Sequence, residues 1–193
     1  MRARHAPGMC VAVRVAEIVL AVALIAGGAW LRWDHLGTPS LWWDEIVHVR
    51  TADRDTTADV WRAARNGVVP GRGNAGAVPL DYLLLHAWIE ATPRPSPDAF
   101  ERHYRMPAFA YAVAALPLMW LVARAIGGAP AGAIALALLA TSIPHVLYAA
   151  EARFYSLSVL VTLANVATFA ALVRAPSRGR LALFTIVGVV YVL

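Results

Sequence analysis

The sequence predicts an all-α, polytopic membrane protein, and three observations carry that expectation. Of its 193 residues, 60% are hydrophobic and the mean hydropathy is +0.58, more apolar than a soluble core requires. The apolar residues gather into runs of about 20, the length of a helix that crosses a bilayer. All 17 basic residues are Arg, and they gather at the ends of those runs, where charges set topology. A net charge of +5 and a pI near 10.0 would point to nucleic acid in a soluble protein. Here anionic lipid head groups account for them, so membrane lipids and no nucleic acid are expected as partners. The single Cys10 excludes an intrachain disulfide and a cysteine metal cluster.

Residues 11–31 form the first span, an uncleaved anchor. Arg14 and Glu17 lie three apart on one helical face and are expected to pair there. Residues 32–106 form a long first external loop. Within it, Asp44 to Asn66 has few breakers and apolar residues at Ile46, Val47, Val60, Trp61 and Ala64. That spacing predicts one or two amphipathic helices lying on the membrane. Asn66 to Gly76 reads as irregular and mobile. Leu80 to Ala91 is apolar but short, which fits an interfacial or re-entrant helix, and TPRPSPD ends it.

Residues 107–193 hold further spans: Pro107–Ile126 with a kink at Pro117, Ala131–Ala149 after the turn GGAP, and Ser156–Val173. Another begins at Leu181 and stops inside an apolar run at Leu193, so the chain is expected to be the amino-terminal part of a longer protein. With a cytoplasmic amino terminus and residues 80–91 not crossing, Arg124, Arg174, Arg178 and Arg180 all face the cytoplasm. The same parity places Asp44, Glu45, Glu151 and Arg153 outside.

The candidate chemistry centres on LWWDEIVHVR, residues 41–50. Two tryptophans of the kind that anchor at a membrane face precede the adjacent carboxylates Asp44 and Glu45. Arg105 at the head of a span and EARFY, Glu151 to Tyr155, fall on the same side. Arginine is the natural ligand of a phosphate, through its planar fork of donors. A carboxylate beside a phosphate implies a proton to remove or a divalent cation to hold. Together these point to a lipid-linked phosphate substrate and acid–base chemistry. His48 and His86 lack metal-ligand spacing and are expected to be solvated or capping residues, and His145 to be structural.

The order of these motifs resembles the GT-C-fold glycosyltransferases, in particular the branch of protein O-mannosyltransferases and lipid A aminoarabinose transferases. The shared elements are a first helix, W-x-DE, the segment PLDYLLLH, an arginine opening a span, and E-x-R-x-Y after a helix hairpin. They run from Val11 to Val173, the amino-terminal portion of such an enzyme. The resemblance implies a GT-C-type helix bundle in the plasma membrane with its site facing outside. It implies inverting transfer of a sugar from a polyprenyl-phosphate carrier to a lipid, glycan or protein acceptor. Asp44 would be the catalytic base and Glu45 its helper. Arg105, Arg153, Tyr155 and Tyr82 would contact substrate, and Glu151 would hold a divalent ion, Mg or Mn. Where many relatives have His-Pro-Pro-Leu, this chain has Ala77-Val78-Pro79-Leu80. A secondary transporter with Glu17 and Glu151 as relay charges, or a non-catalytic assembly subunit, are the alternatives.

Overall fold

The computed structural model describes residues 7–38, 40–66 and 79–192, and every regular element among them is helical. In chain order these are α1 (Pro7–Trp33), α2 (Trp43–Ala52), α3 (Thr57–Asn66), α4 (Pro79–Ala91), α5 (Phe100–Thr141), α6 (Ile143–Ala149), α7 (Tyr155–Arg174) and α8 (Arg178–Val192). A single 3-10 turn at Pro97–Ala99 leads into α5. The irregular segment expected from Asn66 to Gly76 lies, Asn66 apart, outside the described residues.

Among the described residues, three stretches are long and apolar enough to cross a membrane: Val13–Trp33, Pro97–Thr141 and Tyr155–Arg174. Their apolar side chains face outwards. Val13, Ile18, Val19, Val22, Leu138 and Val173 are each more than half exposed, an arrangement suited to lipid and costly in water. The protein is accordingly a membrane protein.

The 42 residues of α5 are two helices folded back on each other. Gly128 stands between them at φ 84°, ψ −175°, a conformation that only glycine adopts without strain. A Cβ placed on Gly132 would lie 2.8 Å from the Cβ of Arg124 and 3.1 Å from the backbone oxygen of Trp120, so residues 129–141 return antiparallel to residues 100–127. The turn expected at GGAP is therefore present, whereas helical dihedrals continue through Pro117.

The returning arm does not run on to Ala149 as expected. It stops at Ser142, which is extended (φ −62°, ψ 112°), and α6 starts afresh with Pro144 in its first turn. The cause is local: Pro144 has no N–H to give the carbonyl of Ala140, and its ring crowds that carbonyl. Arg32, at the end of α1, fills the vacancy. Its guanidinium donates to the carbonyls of Ala140 at 3.0 Å and Leu139 at 2.8 Å, and to Gly28 one turn back at 2.6 Å. It also lies 3.2 Å (Nε) and 2.6 Å (Nη2) from His145 Nδ1. A guanidinium only donates, so Nδ1 accepts and the ring carries its proton on Nε2. Arg32 is wholly buried by this clamp. The approach of α1 to both arms depends on Gly28, whose added Cβ would meet Leu116 at 3.0 Å and Ala140 at 3.1 Å. Ala21, Leu116, Leu136 and Ala140 form the core of this bundle.

At the opposite end of α1, Glu17 pairs with Arg124 of the hairpin at 2.8 Å. This replaces the Arg14–Glu17 pair expected from helical spacing. The cross-helix partner lies nearer the turn at Gly128 and ties two elements together. The bundle thus has two ends: one with Glu17, Arg124 and the hairpin turn, the other with Arg32, Ser142 and α6.

Beyond that second end, α2, α3 and α4 pack on one another. Val60 and Ala64, the apolar face of α3, are buried against Tyr82 of α4. Val49 and Ala52 of α2 join Leu85 and Ile89 of α4, with Tyr104 and Ala152, in a second core. Thr56 caps α3 through Asp59, accepting from its N–H at 3.1 Å. With 13 residues α4 is too short to cross, and its partners here are protein.

Replacing Arg32 with Met keeps the volume but leaves the Ala140 carbonyl without a donor and the Leu139 carbonyl with only the Ser142 N–H at 3.3 Å. Breaking charged hydrogen bonds inside a fold typically costs about 3 kcal/mol or more. Arg32→Met is expected to lower the reversible unfolding free energy in detergent by that order, and an unchanged unfolding midpoint would contradict the clamp.

Candidate functional site

The head and the bundle meet at Glu45, which is completely buried. Its carboxylate accepts from Arg105 Nε at 2.8 Å (Oε1) and Nη2 at 2.7 Å (Oε2), a bidentate fork. It also accepts from the backbone N–H of Ala152 at 2.7 Å and of Trp42 at 3.3 Å. Glu45 is the third residue of α2, so the Trp42 contact is the reach-back half of a capping box; tryptophan offers no acceptor for the other half. Arg105 also donates to the carbonyl of Leu36 at 3.2 Å. Four stretches of chain (36, 42–45, 105 and 152) are thereby fastened to one ion pair. Glu45 and Arg105, read from sequence as helper acid and substrate contact, are engaged with each other and have essentially no exposed surface.

Asp44 takes the opposite role. One residue before Glu45 on the same helix, it turns outward, with 46% of its side chain exposed, and pairs with Arg153 Nη1. The Arg153 guanidinium lies over three rings, Trp42 at 5.7 Å, Phe154 at 5.9 Å and Tyr155 at 5.3 Å. Such cation–π contacts hold a guanidinium in position while leaving its N–H groups free to donate. Its Nε is buried and has no hydrogen-bond partner among the described residues. Tyr155 in turn packs on Tyr148, ring centroids 4.4 Å apart.

Glu151 stands half-buried beside this pair, with Oε2 buried and without a hydrogen-bond partner. Burial, and next the charge of Glu45, push its carboxyl above its ordinary value; Arg153 and Arg105 pull the other way. Sequence reading gave Glu151 a divalent ion. Among the described residues no group of three or more His, Cys, Asp or Glu side chains gathers that could hold one.

Sequence reading underrated α4. Asp81 is buried and its Oδ2 lies 2.7 Å from His48 Nε2, while His48 stacks on Tyr82 at 4.0 Å. His86, also buried, directs Nδ1 to the carbonyl of Ala52 at 3.0 Å. His48 and His86 are therefore buried within the layer of α2, α3 and α4, the head of the molecule, and not solvated; His86, on the last carbonyl of α2, takes the capping role that was the other expectation. Tyr82, expected to contact substrate, is 8% exposed and lies under His48. Burial first, then the competing charges of Arg153, Asp81 and Asp44, act on its hydroxyl, and the net effect is to raise its pKa. The signal that could have found this group was the helical spacing of Asp44, His48 and Ala52 on α2 against Asp81 and Leu85 on α4.

A cavity of about 260 Å³ opens next to the pair, between α6 and α7. Ser142, His145, Tyr148, Tyr155, Ser156 and Val159 line it, and its surface is mostly apolar. Tyr155 belongs both to this cavity and to the rings around Arg153.

Comparison with protein-family models, curated proteins and solved structures gave no match.

A raised acid binds its proton more tightly in the folded chain than in the unfolded one. Folding stability therefore falls as pH rises from the ordinary value of 4.5 through the raised one, where the folded chain must ionise Glu151. Glu151→Gln removes that loss. Melting curves between pH 4 and 8 should diverge, with Glu151→Gln gaining on the unmodified protein as pH rises; parallel curves would place Glu151 in water.

Proposed function

We propose that the chain is the amino-terminal part of the membrane module of a glycosyltransferase that moves a sugar from a polyprenyl-phosphate carrier to an acceptor, with inversion. The observation that carries the reading is the Asp44–Arg153 pair: a half-exposed carboxylate against a guanidinium held among three rings, at the end of an apolar bundle. The motif order described above adds to it. So does the apolar cavity next to Tyr155, which would take the first part of a lipid chain whose phosphate lies at Arg153.

In this reading Arg153 holds the carrier phosphate and stabilises it as it leaves. Asp44 accepts the proton of the acceptor hydroxyl as that oxygen attacks the anomeric carbon and the bond from that carbon to the phosphate oxygen breaks. Glu45 and Arg105 position Asp44 through α2. Tyr155 borders the lipid, and Tyr82 supports the head from beneath. The site lies outside a plasma membrane crossed several times, since that orientation puts Arg124, Arg174, Arg178 and Arg180 on the cytoplasmic side. A divalent ion, which the resemblance implies, would need donors from the phosphate itself in addition to any carboxylate here.

The chemistry is tested by sugar transfer from a polyprenyl-phosphate sugar in the membrane-embedded protein. Asp44→Asn is expected to depress turnover about 100- to 10,000-fold, the usual cost of removing a general base. Turnover within a few-fold of the unmodified protein would rule Asp44 out. Arg153→Lys is expected to lose most of the donor affinity, because a point charge does not replace a planar fork.

Orientation is tested separately. In a Cys10→Ser background, a cysteine replacing the exposed Thr56 is expected to react with an impermeant thiol reagent on intact cells, while one replacing the exposed Ser177 resists it. The reverse pattern would invert the membrane assignment.

A further inference from the structure

We propose that Asp44 is a displaceable cover on an anion site at Arg153, so that a prenyl phosphate must dislodge the carboxylate before the carboxylate can act as base. The inference rests on the reading of Arg153 as a phosphate ligand and adds an order to it: donor first, acceptor proton second.

The geometry has three parts. Asp44 occupies Arg153 through a single contact, Oδ2 to Nη1, on a guanidinium whose side chain is only 19% exposed; the more exposed member, at 46%, is Asp44. The carboxylate therefore lies on the solvent side of the arginine, across the approach an anion would take. The guanidinium does not depend on Asp44 for its position. Trp42, Phe154 and Tyr155 surround it at 5.3–5.9 Å, so it stays in place when the carboxylate swings away. Asp44 can swing because its neighbour cannot: Glu45 anchors the first turn of α2 with four contacts, and the Asp44 side chain contributes none to that anchor.

A phosphate competes well for this arginine. The donor's phosphodiester matches the carboxylate in charge but brings two free oxygens to a fork of which Asp44 takes one donor, and the carrier phosphate released by transfer adds a further charge and a third oxygen. The carboxylate it displaces is left with Glu151 and Glu45 nearby and with Arg153 engaged by the phosphate. That is the state in which it would accept a proton from a hydroxyl. Without the donor, Oδ2 is engaged with Nη1 and the base is masked.

The experiment is a binding measurement and needs no turnover. Farnesyl phosphate is titrated in detergent against the whole chain, with farnesol as the uncharged control and inorganic phosphate as the control lacking a chain. Removing the cover should release an exposed ion pair worth about 0.2–1 kcal/mol. Asp44→Asn and Asp44→Ser are therefore both expected to tighten farnesyl phosphate roughly 1.5- to 5-fold. Arg153→Gln is expected to lose binding, and the double variant to behave as Arg153→Gln. Folding of each variant is checked by its melting midpoint, and two replacements at 44 guard against one failing to fold. Arg153→Gln binding farnesyl phosphate normally would overturn the anion site itself. Loss at Arg153→Gln with unchanged or weakened binding in both Asp44 variants would leave the anion site standing and overturn the cover. Equal affinity for farnesol and farnesyl phosphate would show that the lipid chain alone is recognised, and would also overturn the proposal.

Discussion

The head depends on one buried ion pair. Glu45 and Arg105 are removed from water, a step that costs several kcal/mol per ion, and their mutual attraction offsets it only because the remaining lone pairs are also filled. Ala152 and Trp42 supply those extra donors from backbone N–H groups, and Leu36 takes a further guanidinium N–H. Such a pair adds little net stability compared with well-packed apolar side chains of equal volume. What it supplies is specificity, because no other register of α2 against α5 would satisfy both charges. The position of Asp44 follows from it, and so does that of Arg153, one residue from Ala152.

A similar principle operates lower in the molecule. A proline one turn beyond the end of the α5 hairpin leaves carbonyls without helical donors, and in a low-dielectric surrounding each would be costly. Arg32 fills the gap from another helix and fixes the tautomer of His145 in doing so. Both locks use arginine, whose fork serves several acceptors at once, and neither leaves a charge facing lipid. The outward apolar surface of α1, α5 and α7 is thus compatible with a charged interior.

Much of the fold was legible because it is set by local rules. The first span follows from run length, the hairpin from the turn at GGAP, and the end of α4 from the prolines after it. What was not legible required knowing which distant residues meet. Helical spacing alone offered Arg14 to Glu17, but the bundle offers Arg124. An arginine after an apolar run reads as a head-group anchor, and nothing local marks Arg32 as the partner of carbonyls more than 100 residues away. Likewise His48 looks solvated on an amphipathic helix until α4 brings Asp81 against it. The residues of the candidate site were found in sequence, but their division of labour was not.

That division follows from helix geometry. Neighbouring residues on an α-helix point about 100° apart, so adjacent acids at the margin of a buried face can meet different surroundings. With Glu45 turned inward to Arg105, Asp44 emerges beside it at the surface. The two carboxylates are then separated in function by what surrounds them. One is saturated with donors and serves as an anchor. The other is half-exposed and has a single partner, Arg153. Two adjacent acids at the start of a helix therefore need not act as a pair: here the second is an anchor that sets where the first is presented.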